Sequence, residues 1–220
     1  MTHPLIEGFK RFKTTAYKSP DASMPKLVSE GQHPGYYIIS CGDSRSDPST
    51  MFGTGPGEIF GFKPIGTIVR PYKRGTALAS SLQFAMKYLE IPELIVIGHT
   101  ECGAIKALVE HLDDPEIAGF IQEAQKSLDI VLNTLGEGPS AEQILRSTEQ
   151  QVVLQSIENL KEYPSVAEAL ETRDLKIRGW IFDMKSGNIL EHDQASGQFE
   201  SLTNFDEPST SPQSCGCNNT

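Results

Sequence analysis

Four successive apolar residues, Leu94-Ile-Val-Ile97, constrain this chain more than any other feature. A strand with one wet face alternates apolar and polar residues, so a run that is apolar throughout belongs in a sheet covered on both faces. Such sheets are built from parallel strands joined by helices, and they bind ligands in the loops at the carboxyl ends of the strands. The loop after this run is Gly98-His-Thr-Glu-Cys-Gly103. A second apolar run, Tyr36-Tyr-Ile-Ile-Ser40, leads into Cys41-Gly-Asp-Ser-Arg45.

The rest of the chain alternates helix and strand signals. Leu5, Ile6, Phe9 and Phe12 give residues 1–18 the pattern of a short amphipathic helix, and residues 19–35 read as turns on Pro20, Pro25, Gly31, Pro34 and Gly35. Residues 46–57 read as loop, Glu58–Phe62 as a strand, and Thr67-Ile-Val69 as its extension or successor. Leu78, Leu82, Ala85 and Leu89 share one face of a helix from Thr76 to Glu90, stopped by Pro92. Helices are expected at Gly103–His111, at about 116–135, at about 140–162 and from Pro164. Leu175–Phe182 reads as a last strand, and Lys185-Ser-Gly-Asn188 as a turn into a short extended piece. The fold class is α/β, with a mostly parallel central β-sheet flanked by helices.

The 220 residues suit one domain, spanning 1–203 with an N-terminal helical arm over about 1–30. Residues 204–220 are rich in Ser, Thr, Pro and Asn and read as a disordered tail carrying Cys215-Gly-Cys217. Nineteen Lys and Arg against 29 Asp and Glu give a formal charge of −10, which argues against nucleic acid or an anionic membrane as partner. No stretch approaches the roughly 20 apolar residues that span a bilayer. The first 13 residues lack the apolar core of a signal peptide, so a cytoplasmic location with reduced thiols is expected.

The two strand-end loops together hold two thiols and one imidazole, a nitrogen and sulfur set suited to zinc. His99 and Cys102 are close enough in sequence for one tight turn to aim both at an ion, and Cys41 supplies a third ligand from the neighbouring loop. Three protein ligands with an open fourth position is the catalytic kind of zinc site. Cys41, Asp43 and Arg45 alternate, so an extended loop would aim all three the same way. Arg45 suits a two-pronged pair with Asp43. That carboxylate then either accepts a hydrogen bond beside the metal or takes the fourth coordination place. A Cys41–His99 nucleophilic pair is the rival reading, but it leaves Cys102 without a role. Gly53-Thr-Gly-Pro-Gly57 lacks the Lys-Ser/Thr of a phosphate loop and reads as a turn.

At these residues the sequence resembles the β-class carbonic anhydrases, whose marks are a Cys-x-Asp-Ser-Arg loop and a His-x-x-Cys-Gly loop. The resemblance runs from about Lys26 to Leu202 and favours the plant-like branch, through Gln32-His-Pro, Pro56–Phe60, Ser81–Ala85, Val96–Lys106, Val152–Pro164 and Gly179–Asp183. It implies zinc on Cys41, His99 and Cys102, with Asp43 and Arg45 as the catalytic dyad. It further implies a substrate pocket that includes Gln32, Phe60, Ile65, Phe84 and Gly103. The implied reaction is reversible hydration of carbon dioxide to bicarbonate. The implied assembly is a homodimer or dimer of dimers embraced by N-terminal helices. Where one branch builds a second, inhibitory bicarbonate site from Trp, Arg and Tyr, this chain has Ile38, Lys63 and Phe182, so that inhibition is expected to be absent. Family members usually read Arg-Asn-x-Ala-Asn where this chain has Lys63-Pro-Ile-Gly-Thr67. A lysine lacks the guanidinium's planar fork, and Pro64 removes a backbone donor. The related hydrolases of carbonyl sulfide and carbon disulfide are the alternative, as is a zinc-binding member with little turnover.

Overall fold

The structure, a computed structural model, describes residues 3–202. The proposed tail, with Cys215 and Cys217, lies outside the described residues. Six strands form one sheet in the order β2-β1-β3-β4-β5-β6. Strands β1 (Tyr36–Ser40), β2 (Ile59–Phe62), β3 (Glu93–His99) and β4 (Lys176–Phe182) run parallel. Strands β5 (Ile189–His192) and β6 (Phe199–Ser201) continue the sheet as an antiparallel meander. In the β1–β3 ladder Ser40 stands opposite Ile97. The two chemistry-bearing loops therefore leave the same edge of the sheet side by side.

Before β1 come α1 (Pro4–Lys13), a wider π-type turn at Thr14–Lys18, and α2 (Met24–Glu30). Helix α2 falls where the proline count predicts only turns. Pro25 stands in the first helical turn, where a missing N–H costs nothing. A four-residue helix, α3 (Pro48–Met51), likewise stands inside the predicted 46–57 loop, started by the Asp47 carboxylate on the Thr50 amide.

The predicted strand at 67–69 is absent. Ile65–Thr67 forms a tight turn, and the backbone beyond it is satisfied from a helix instead of a strand. Ser156 Oγ donates to the Thr67 carbonyl and accepts the Val69 N–H, each at 3.1 Å. Asn159 Nδ2 donates to the Val69 carbonyl at 2.7 Å. Both side chains belong to α8 (Ala141–Lys161), which a capping box between Ser140 and Gln143 begins.

Helices α4 (Ala77–Lys87), α5 (Gly103–Val109) and α9 (Pro164–Thr172) lie close to their predicted spans. The single helix expected at 116–135 is two, α6 (Pro115–Ile121) and α7 (Gln125–Thr134), joined by a 3₁₀ turn. Ile121, Ala124, Leu128 and Val131 are all buried across that join, so the apolar face continues while the helix does not. Periodicity follows the face and misses such a break.

Helix α8 lies against β3 and β4, and two glycines permit the approach. A Cβ at Gly98 would stand 2.7 Å from Val153 Cγ2, and one at Gly179 would stand 2.8 Å from Ile157 Cδ1. One face of the sheet buries Tyr37, Ile39, Leu94 and Val96 against α4, α8 and α9. The other carries Ile38, Ile95 and Ile97, with Trp180 and Phe182 packed on them. Among the described residues no helix is long and apolar enough to cross a membrane.

Candidate metal centre

Cys41 follows β1, His99 ends β3, and Cys102 precedes α5. All three are buried, and their ligand atoms lie within 4.8 Å of one another. Zinc–sulfur and zinc–nitrogen bonds of about 2.0–2.3 Å in a tetrahedron hold ligand atoms roughly 3.4–3.8 Å apart, a spacing inside that limit.

Backbone groups orient two of these side chains. His99 Nδ1 is 2.8 Å from the Thr100 carbonyl, which fixes the ring proton there and leaves the Nε2 lone pair free. That Nε2 is buried and has no hydrogen-bond partner in the protein, as suits an atom meant for a cation. Gly66 donates its N–H to Cys41 Sγ at 3.3 Å. Its φ of 66° and the crowding of Ile105 and Ala104 both favour a residue without a side chain. The 63–67 segment thus supplies a backbone donor to Cys41. Hydrogen bonding from Cys102 and the Gly66 amide pulls the Cys41 thiol down, while its contact with Cys41 and burial push Cys102 up. Two thiolates this close repel, and a divalent cation between them relieves that repulsion. Donor type, burial and the orphaned Nε2 all fit zinc.

The 42–46 loop is not extended as its alternation predicts. Asp43 caps a 3₁₀ turn at Ser44–Ser46, and the Asp43–Arg45 pair forms through that turn. Asp43 Oδ1 accepts from the Arg45 backbone N–H (2.9 Å) and from Nε (3.0 Å), and Oδ2 accepts from NH2 (2.8 Å). This bidentate grip and the amide hold the Asp43 carboxyl far below the usual carboxylate range. Asp43 stands outside the three-residue ligand cluster.

Ile65 borders the cluster as the residue before Gly66, and is 42% exposed. A Cβ at Gly103 would meet nothing within 4 Å, so open space adjoins Cys102. Gln32, Phe60 and Phe84 stand elsewhere in the chain. Gln32 precedes β1, whereas Cys41 follows it. Phe60 pairs in register with Tyr37, four residues short of Cys41 and so roughly 13 Å away along the strand. Its ring stacks between Tyr37 at 5.8 Å and Phe84 at 6.0 Å, on the edge strand of the sheet. Of the three positions matched to an inhibitory anion site, Ile38 and Phe182 share one apolar cluster, and Lys63 is tied to Asp47 at 2.6 Å.

Glu149 escapes the motif reading. It is a carboxylate only 3% exposed on α8, where it accepts the Cys102 N–H at 2.9 Å. Arg146 NH1 pairs with it at 2.7 Å. Burial nevertheless pushes Glu149 up to about 7. The available signal was its place in the helical pattern, on the same face as Leu145, Val152, Val153 and Ser156, where a charge is out of place without a partner.

Comparison with known proteins points to one family. The family model described as carbonic anhydrase matches residues 36–189. The chain is 33% identical over 197 residues to a carbonic anhydrase of Synechococcus elongatus, covering 87% of this chain and 72% of that one. It is 32% identical over 207 residues to one of Pseudomonas aeruginosa, covering 92% and 93%. The solved β-carbonic anhydrase CcaA superposes with a TM-score of 0.80 at 29% identity, covering 90% of this chain and 97% of that one. With a family match over most of its folded length, and the sulfur–sulfur–nitrogen cluster at the shared sheet edge, this chain belongs to the carbonic anhydrases, and to their β class.

Proposed function

We propose that this enzyme carries out the reversible hydration of carbon dioxide to bicarbonate and a proton, with zinc held by Cys41, His99 and Cys102. The observation that carries the proposal is the orphaned, buried His99 Nε2 facing two buried thiols beside a carboxylate locked by Arg45. A zinc ion held there would supply a water acidic enough to ionise near neutral pH.

The remaining work falls to the chain itself. Asp43 stays ionised at any working pH, so its oxygens only accept hydrogen bonds. It orients an attacking water so that a lone pair faces the carbon of the substrate. Arg45 holds that carboxylate in one rotamer and keeps its charge balanced. Gly103 leaves room for a small linear molecule, and Ile65 offers it an apolar wall. Carbon dioxide and water together make bicarbonate and one proton, and the proton passes to buffer. A neutral substrate needs no electrostatic steering, so the charge of −10 is no hindrance.

Gln32, Phe60 and Phe84 would reach a metal centre from a second copy of the chain. Supporting this, Phe84 is 45% exposed, and α1 presents Leu5, Ile6 and Phe9 to solvent. The expected assembly is a homodimer or dimer of dimers. A reducing compartment such as the cytoplasm suits two cysteine ligands. A substrate panel on the purified zinc protein tests the reading. Carbon dioxide hydration exceeding sulfide release from carbonyl sulfide supports it, and the reverse order would make the chain a sulfur-compound hydrolase.

A further inference from the structure

We infer that Glu149 and Arg146 of helix α8 are positioning residues for the metal centre, setting the Cys102 ligand and the Asp43–Arg45 pair in fixed relation. The inference rests on the zinc reading above. Its basis is a continuous chain of contacts from the helix to both halves of the site.

Glu149 Oε1 accepts the Cys102 N–H, so a buried carboxyl oxygen fixes the peptide that carries the ligand. Its other oxygen, Oε2, is paired to Arg146 NH1. The same guanidinium reaches Glu101 Oε1 through NH2 at 2.9 Å. Glu101 stands between the ligands at φ 60°, a left-handed conformation that a side chain disfavours. Its carbonyl accepts from Arg45 NH2 at 3.3 Å, on the far side of the site. One planar fork thus holds Glu149 and Glu101 at once. Through them it holds the backbone at residues 101 and 102, and the guanidinium that grips Asp43.

A merely structural ion pair would be an odd choice here. A buried pair is weak evidence for stability, since apolar residues of similar volume often serve as well. Leu145, Val152 and Val153 of α8 already pack apolar against the core. A carboxyl group aimed at the N–H of a metal ligand has a clearer use, because partners behind a ligand fix its orientation and tune its affinity.

Three variants test this. Glu149→Gln keeps an oxygen for the Cys102 N–H and loses the charge that holds Arg146. Glu149→Ala loses both, and Arg146→Lys keeps the charge and loses the fork. The measurements are zinc per chain, zinc release to a competing chelator, the absorption spectrum of the cobalt-substituted protein, and the melting temperature of the metal-free protein. The wild type should hold one zinc per chain, and its failure to do so would overturn the zinc reading itself. The variants should release zinc about 10–100-fold more readily, with Glu149→Ala the strongest. Their thiolate-to-cobalt and ligand-field bands should shift. Wild-type release and unchanged cobalt spectra in the folded variants would overturn the inference while leaving the zinc reading intact. So would a lowered melting temperature without spectral change. If Glu149→Ala does not fold, Glu149→Gln and Arg146→Lys decide, and failure of all three to fold would assign the pair to folding and overturn the inference.

Discussion

Cys41 and Asp43 stand two residues apart and are expected to fail differently. Cys41→Ala removes a ligand, so zinc and activity should leave together. Asp43→Ala removes a carboxylate that lies outside the ligand cluster. It should keep zinc and lose about 10²-fold or more of the hydration rate. Metal analysis beside stopped-flow rates separates the two. The cluster of Cys41, His99 and Cys102 was legible in the sequence because ligand chemistry restricts residue type: only a few side chains suit zinc, and three of them sat in strand-end loops. Glu149 was legible only as a charge on an apolar helix face, without its partner. Nothing in its neighbours in sequence shows that a helix 47 residues downstream of Cys102 turns a carboxylate onto that residue's N–H. The Asp43–Arg45 pair was legible in outcome but not in route, since a 3₁₀ turn brings the two together where an extended loop was expected.

At the scale of elements, the seat of α8 on the sheet depends on two missing side chains. Gly98→Ala would set a methyl 2.7 Å from Val153 Cγ2, on a β-branched residue that is stiff in a helix. Gly179→Ala would meet Ile157 Cδ1 at 2.8 Å, the far end of a longer side chain that can yield. Overpacking of this kind costs about 1–3 kcal/mol. The first variant should therefore melt at a lower temperature than the second, and both below wild type. The parallel strands were readable because burial on both faces leaves continuous apolar runs. The 67–69 segment was not, because its backbone partners are Ser156 and Asn159, nearly ninety residues away. Apolar, β-branched residues predicted a strand there, but side chains of α8 took the place of a neighbouring strand. Strand β6 also went unread, being three residues long and paired, among the described residues, with β5 alone.

For the molecule as a whole, acid should weaken the fold through carboxylates held in place by turns. Hydrogen bonds from Ser186, the Lys185 amide and Thr100 lower Asp183, and Lys63 with Thr50 lowers Asp47. A depressed folded value means stabilisation that is complete above the unfolded value of about 3.9 and is lost as pH falls through the folded one. The melting temperature should therefore fall below about pH 4, and Asp183→Asn should flatten part of that decline. Assembly belongs to the same scale. Deleting residues 1–18 removes the exposed apolar face of α1, with Leu5 76% and Phe9 57% exposed. Sedimentation should then show a smaller species or a weaker association than the full chain. A monomeric full chain with full activity would contradict the placement of Gln32, Phe60 and Phe84 over a partner's metal.

The central claim is that the buried Cys41–His99–Cys102 cluster, beside a locked Asp43, makes this chain a zinc hydratase of carbon dioxide. Stopped-flow hydration with a pH indicator, on protein carrying one zinc per chain, tests it most directly. Catalysed hydration that rises as pH passes through about 7, where a zinc-held water ionises, is the predicted result. Full zinc occupancy with no hydration above the uncatalysed rate, at any pH from about 6.5 to 9 on either side of that ionisation, would contradict it.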